Sequence, residues 1–298
     1  EYISLIFVEF FFVLSGFVLY PQLLKVINKK SNLLIFYKRR WIRTIPLYIF
    51  TLIMVSILTN HMFETNFFKY LFLIQKTLPN FINNDYFPVA WSLSIEELFY
   101  LLFPLILIFL NHQNFLKVSM LVFISLILLK FFISDNFDAN FYRTGTFLRL
   151  DAILFGFLIS HFKLEVLRYK KSIIFFTIIF IFIFLLSYDF FTINKNDKDN
   201  RFLFILFMQL ISGLTLFSFL LSEPLLKSSN ILKKLSLMIS QQTYSIYLFH
   251  IIIIYILDKI ELSIYVATPT YILVLFFIST LVYNFFEKPL LKLRPKIT

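Results

Sequence analysis

The sequence predicts an all-α fold, a polytopic bundle of membrane-spanning helices. Three observations carry that prediction. Of 298 residues, 59% are hydrophobic and only 15% charged, with 43 Phe against 4 Gly. A water-soluble domain is nearer 45–50% apolar and about 25% charged, so too little polar surface exists here to cover a globule. The apolar residues fall in long uniform runs, not in the every-second-residue alternation of barrel strands. The basic residues gather in the gaps between those runs, where they read as topology signals.

A helix needs about 20 mostly apolar residues to cross roughly 30 Å of hydrocarbon. Nine stretches qualify in order along the chain: 3–24, 42–60, 96–111, 115–134, 144–162, 172–189, 202–222, 243–258 and 264–286. The segment 67–82 is apolar but short, and Lys76 and Pro79 break it, so it reads as an interfacial or re-entrant piece. Taking alternate gaps from an outside start, one side collects 19 Lys and Arg residues and the other 7. That asymmetry places the C-terminus in the cytoplasm. It also puts Glu1 outside, and one further helix before residue 1 would bring the count to ten. The expectation is therefore an N-terminally truncated single membrane domain over 1–298, with no appended soluble domain.

The net charge of +11 does not point to nucleic acid, because its cations lie at span ends and not on a soluble face. With no Cys, disulfides, thiolate nucleophiles and cysteine metal sites are excluded. No His-x-Glu zinc motif, Gly-rich phosphate loop or Gly-x-Ser-x-Gly elbow occurs. No resident cofactor or metal is expected.

The informative residues are polar ones inside the apolar runs, since a charge at mid-bilayer costs on the order of 2.5–3.5 kcal/mol by insertion scales. In Ala90-Trp91-Ser92-Leu93-Ser94-Ile95-Glu96-Glu97 the Ser94 and Glu97 spacing fits a helix capping box. Glu96 points about 100° away and gains nothing from such a cap. It is the better candidate for substrate hydrogen bonding or acid–base work. Arg149 and Asp151 stand two apart, so they do not face each other on a helix, and each needs a partner on another helix or a wet cavity. His250 falls mid-span with Tyr247 one turn away; its readings are a satisfied membrane histidine or a proton-handling group. The run Lys38-Arg39-Arg40-Trp41-Ile42-Arg43 reads as a topology anchor or as a polyphosphate site at a membrane mouth. Glu287, before Pro289, is a partner for that cluster. The segment 61–95 reads as a solvated loop or a binding rim. From the residues alone, a membrane enzyme and a transporter or flippase for a lipid-linked sugar or small anion both stay open, and an inactive fragment is the third reading.

Taken together, the motifs resemble those of the acyltransferase-3 family of bacterial membrane O-acyltransferases. The match begins at Val8-Glu9-Phe10, with Ser15-Gly16-Phe17 following, and continues through Arg39-Arg40-Trp41-Ile42-Arg43-Thr44-Ile45-Pro46. It then takes in Trp91-Ser92-Leu93-Ser94-Ile95-Glu96-Glu97, Phe147-Leu148-Arg149-Leu150-Asp151, Tyr244-Ser245-Ile246-Tyr247-Leu248-Phe249-His250 and Glu287-Lys288-Pro289. The resemblance implies ten core helices in the bacterial cytoplasmic (inner) membrane. It implies transfer of an acyl group, usually acetyl from acetyl-CoA, to a hydroxyl of a cell-surface or lipid-linked glycan. In the family the first helix carries an Arg and a His central to catalysis, and that helix would precede residue 1. Carried onto this chain, Glu96, Arg149, Asp151 and His250 line the site. Lys38, Arg39, Arg40 and Arg43 meet the acyl-CoA phosphates. Glu9, Ser15, Gly16, Ser94, Glu97, Tyr247 and Glu287 support them.

Overall fold

A computed structural model describes residues 2–82, 84–109, 112–133, 137–193, 197–228, 230–260 and 263–296. The described chain consists of helices joined by turns, with no strand among the described residues. Its elements are α1 (Tyr2–Asn28), α2 (Asn32–Leu58), α3 (Thr65–Leu71), α4 (Ala90–Ile108), α5 (His112–Ile133), α6 (Ala139–Thr144) and α7 (Leu150–His161). The remainder are α8 (Lys163–Val166), α9 (Lys170–Ile193), α10 (Lys198–Ser228), α11 (Asn230–Asp258), α12 (Ile264–Val282) and α13 (Lys288–Leu291). Among the described residues, seven helices are long and apolar enough to cross a membrane. The chain is thus a multi-pass α-helical membrane protein.

The seven correspond to α1, α2, α5, α9, α10, α11 and α12. The other two expected spans, 96–111 and 144–162, fall on α4 and α7. The second differs most from expectation. A turn at Gly145 and a 3-10 turn over Phe147–Arg149 interrupt it, leaving α7 with 12 residues, roughly 18 Å of helix. That is too short for the hydrocarbon slab, and α7 lies in the interior: Ala152, Ile153 and Phe157 are fully buried. Helix α2 begins at Asn32, ten residues before the expected span, so the basic run 38–43 is helical. Lys and Arg are good helix formers, and charge limits where a helix meets hydrocarbon, not where it starts. The segment 67–82 does not span; it holds the end of the seven-residue α3 and a series of turns.

Helix α1 packs on α7 at glycine contacts. A Cβ placed on Gly16 would lie 1.8 Å from the Ile153 carbonyl oxygen, and one on Gly156 would lie 1.8 Å from that of Val13. Small residues allow such backbone approach in membrane helices, where packing rather than water expulsion drives association. Around this crossing, Phe12, Leu19, Ile95, Phe99 and Phe157 form one buried cluster. A second cluster, with Leu47, Tyr48, Phe87, Leu248 and Ile252, joins α2, α4 and α11.

Gly16→Ala and Gly156→Ala are therefore expected to lower the folded yield and unfolding midpoint sharply, because backbone must move. Gly213→Ala meets only the side-chain ends of Ile159 and Phe155 and is expected to be milder. Thermal unfolding in detergent compares the three; equal effects would contradict the close crossing.

Candidate active site

Of the polar side chains singled out by the sequence, Glu9, Arg40, Glu96, Glu97, Arg149, Asp151 and Glu287 are buried, and Lys130 is buried with them. They form two hydrogen-bonded groups, one joined to α1 through Glu9 and the other through Ser15.

The first group surrounds the start of α7. Arg149 closes the 3-10 turn and is completely buried, and its guanidinium forms an ion pair with Glu9 of α1. Its Nε and Nη1 are buried without a hydrogen-bond partner. Asp151, two residues on, turns the other way. It accepts two bonds from Lys130 Nζ of α5, at 2.6 and 2.7 Å, and one from Gln209 Nε2 of α10, at 2.6 Å. Tyr142 donates to the Lys130 carbonyl at 3.2 Å. Asp151 also sits in the first turn of α7, where the helix dipole favours an anion. The i, i+2 argument is met: each charge finds its partner on a different helix.

The second group lies between α1, α2, α4 and α11. Glu96 is buried with Ser15, Arg40 and Tyr100 as its polar neighbours, and its Oε1 has no hydrogen-bond partner. Ser15 and Tyr100 share a 2.7 Å hydroxyl–hydroxyl bond. The Arg40 guanidinium sits over the Tyr100 ring at 4.8 Å, with Nε and Nη2 unbonded. Glu97 accepts from the Thr44 hydroxyl at 2.6 Å, and the Thr44 carbonyl accepts from Tyr244 at 2.7 Å. Glu287 accepts from the Ser245 hydroxyl, within the field of Arg43. It stands in a π-helical turn, Tyr283–Glu287, which carries it into the bundle.

Several expectations need correction. Ser94 is not a cap, because α4 begins at Ala90; its hydroxyl bonds back to the Trp91 carbonyl at 2.8 Å and accepts from Gln75 at 3.2 Å. Glu97 therefore owes its place to Thr44, not to a capping box. His250 is half-buried, and its Nδ1 lies 2.6 Å from the Tyr247 carbonyl of its own helix. Tyr247 in turn bonds Ser92 at 2.6 Å and stacks on Phe11. The basic run divides: Lys38 and Arg43 are exposed, Arg39 is half-buried, and Arg40 turns inward. Within the 61–95 segment, Phe67, Tyr70, Gln75, Tyr86 and Phe87 are buried, while Phe63, Phe68, Phe72 and Leu78 are exposed. Lys76 pairs with Asp85 at 2.7 Å, and Tyr70 donates to Asp85 at 2.5 Å; burial and then the Asp85 charge push that phenol's pKa upward.

Sequence reasoning left Lys130, Gln209, Thr44 and Tyr100 without roles. A lysine inside the run 115–134 was a signal for the first. Hydroxyls and amides in apolar runs are a weaker signal than a charge, since they can be satisfied by one or two hydrogen bonds.

A multi-helix membrane protein with two buried, charge-bearing centres is the class that this fold and site define. The family profile of acyltransferase-3, described as an acyltransferase domain, matches residues 1–283. The chain belongs to the acyltransferase-3 family. It is 30% identical to the O-acetyltransferase OatA of Staphylococcus aureus (strain NCTC 8325 / PS 47), over 96% of this chain and 52% of that protein. It is 35% identical to an uncharacterized protein of Haemophilus influenzae, over 45% of this chain and 62% of that protein. The chain thus spans about half the length of OatA. No solved structure matches it.

Removing one partner of a buried pair leaves an uncompensated charge, which costs about 3–5 kcal/mol. Lys130→Met is therefore expected to unfold or strongly destabilise the protein, and Lys130→Met/Asp151→Leu to recover much of the loss. Unfolding midpoints of the two variants check this.

Proposed function

We propose that this chain is the membrane part of an O-acyltransferase of the bacterial cytoplasmic membrane, with its C-terminus in the cytoplasm. It moves an acyl group, acetyl in the simplest case, from acyl-CoA to a hydroxyl of a cell-surface or lipid-linked glycan. The observation that carries the reading is Arg149: a fully buried guanidinium with two N–H groups unpartnered, in a family member. Buried donors of this kind are held for charge that arrives with a substrate or develops during reaction.

The donor phosphates meet Lys38, Arg39 and Arg43 at the basic end of α2, with Arg40 reaching from there toward Glu96. The thioester enters between the two polar groups. Its C–S bond breaks as a C–O bond forms to the sugar hydroxyl, and the hydroxyl proton ends on the departing thiolate. Arg149 donates to the oxyanion formed on the way. Glu9 fixes the direction of that guanidinium, and Asp151, clamped by Lys130 and Gln209, holds the turn that carries it. Glu96, with a free Oε1 beside Ser15, accepts from the acceptor hydroxyl. His250 borders this region through Tyr247 and Ser92.

Labelled acetyl-CoA supplied to one face of membrane vesicles, with label then sought in glycan, tests the reading. Arg149→Lys, which keeps a cation opposite Glu9 but loses the unpartnered N–H groups, is expected to cut transfer by about 10²–10³, as loss of one stabilising donor does. Glu96→Gln, which removes the carboxylate acceptor, is expected to cut it by about 10²–10⁴, and the unfolding midpoint of each variant shows that the fold persists. Wild-type turnover in either variant would remove that residue from the site. Exchange of an unmodified lipid-linked sugar without acyl consumption would replace the enzyme by a transporter.

A further inference from the structure

Four guanidiniums converge where α2 meets the last described residues of the chain. Arg39 Nη1 donates to the Pro295 carbonyl at 2.5 Å, pinning the segment 292–296 against α2. Arg294, one residue earlier, thereby comes within the electrostatic reach of Arg39, Arg43 and Arg40. Nε of Arg39, Arg40 and Arg294, with Nη2 of Arg40, is buried and has no hydrogen-bond partner. Glu287 is the acid beside Arg43, and Ser245 already donates to it. Burial, together with the charges of Arg39, Arg43 and Arg40, holds the Arg294 guanidinium down to about 10. Packing like charges together is unfavourable unless an anion bridges them, and planar guanidinium forks match phosphate oxygens in pairs.

We propose that Arg294 and the 292–296 segment complete a phosphate-binding site with Arg39 and Arg43, taking a phosphate-bearing anion from the side of α2. That this phosphate belongs to the acyl donor rests on the function proposed above; the site itself does not. The exposed Lys38 stands outside it, and Arg40, turned onto Tyr100 and toward Glu96, links it to the bundle interior. The segment beyond α13 is then part of a binding site rather than a trailing tail.

The test uses the full chain in zwitterionic nanodiscs, titrated calorimetrically with pyrophosphate and, separately, with coenzyme A. Arg294→Gln is expected to weaken both by about tenfold, the loss of one charge-assisted hydrogen bond. Arg294→Lys should retain part of the affinity, and Lys233→Gln, at an exposed lysine of α11, should match wild type. Unchanged unfolding midpoints keep a folding defect from imitating the result. Nanodiscs of phosphatidylglycerol distinguish the source of the phosphate. Competition by that lipid would assign the site to a headgroup, and undiminished nucleotide binding would assign it to the soluble donor. A protein that binds pyrophosphate through Arg294 but ignores coenzyme A would keep the site and remove the acyl-CoA reading. Equal affinities in wild type and Arg294→Gln, or no phosphate binding at all, would overturn the proposal.

Discussion

The pairing of Arg149 with Glu9 is the constraint on which the rest of the interior depends. A guanidinium with no exposure to solvent, set at the head of a buried helix, is stable only where an anion meets it. That anion comes from α1, and α1 reaches it because Gly16 and Gly156 let the two backbones touch. Ion pair and glycine crossing are two parts of one device. The crossing brings the helices into register, and the charge pair fixes which faces meet.

Helix α7 is short for the same reason. The chain turns at Gly145 and again at Phe147–Arg149 before the helix begins, so its first turn falls inside the bundle rather than at a membrane surface. Placing Arg149 and Asp151 there gives opposite charges two residues apart, aimed at different neighbours. Lys130 and Gln209 clamp one; Glu9 holds the other and leaves two donors over. Farther along α1, beside Ser15, the second centre repeats the pattern with Glu96 and Arg40, each keeping polar atoms unbonded. A bundle that satisfied every buried charge would be a scaffold. This one holds unmet donors and an unmet acceptor in two networks that share a single helix.

The sequence made the architecture readable because lipid imposes a blunt rule: apolar runs of fixed length, with cations between them. It also marked the charged residues of both centres, since a charge inside such a run is costly enough to stand out. What it could not show follows from the same rule. Thr44, Tyr100 and Gln209 carry no charge and so stand out less, though they hold Glu97, Ser15 and Asp151. The capping-box spacing at Ser94 misled because a helix beginning at Ala90 uses the same residues mid-helix. The span 144–162 looked continuous because Gly145 and a 3-10 turn barely alter mean hydropathy. Arg294 joined the basic cluster only through chain return, which no local pattern records.

A double-mutant cycle between Glu9 and Arg149 tests the central dependence most directly, read as unfolding free energy in a membrane-mimetic host. The account predicts that Glu9→Gln and Arg149→Gln each cost about 3–5 kcal/mol, the price of a stranded buried charge, while the double variant costs little more than one alone. Additive losses, or singles that scarcely shift stability, would show that the pair does not organise the interior.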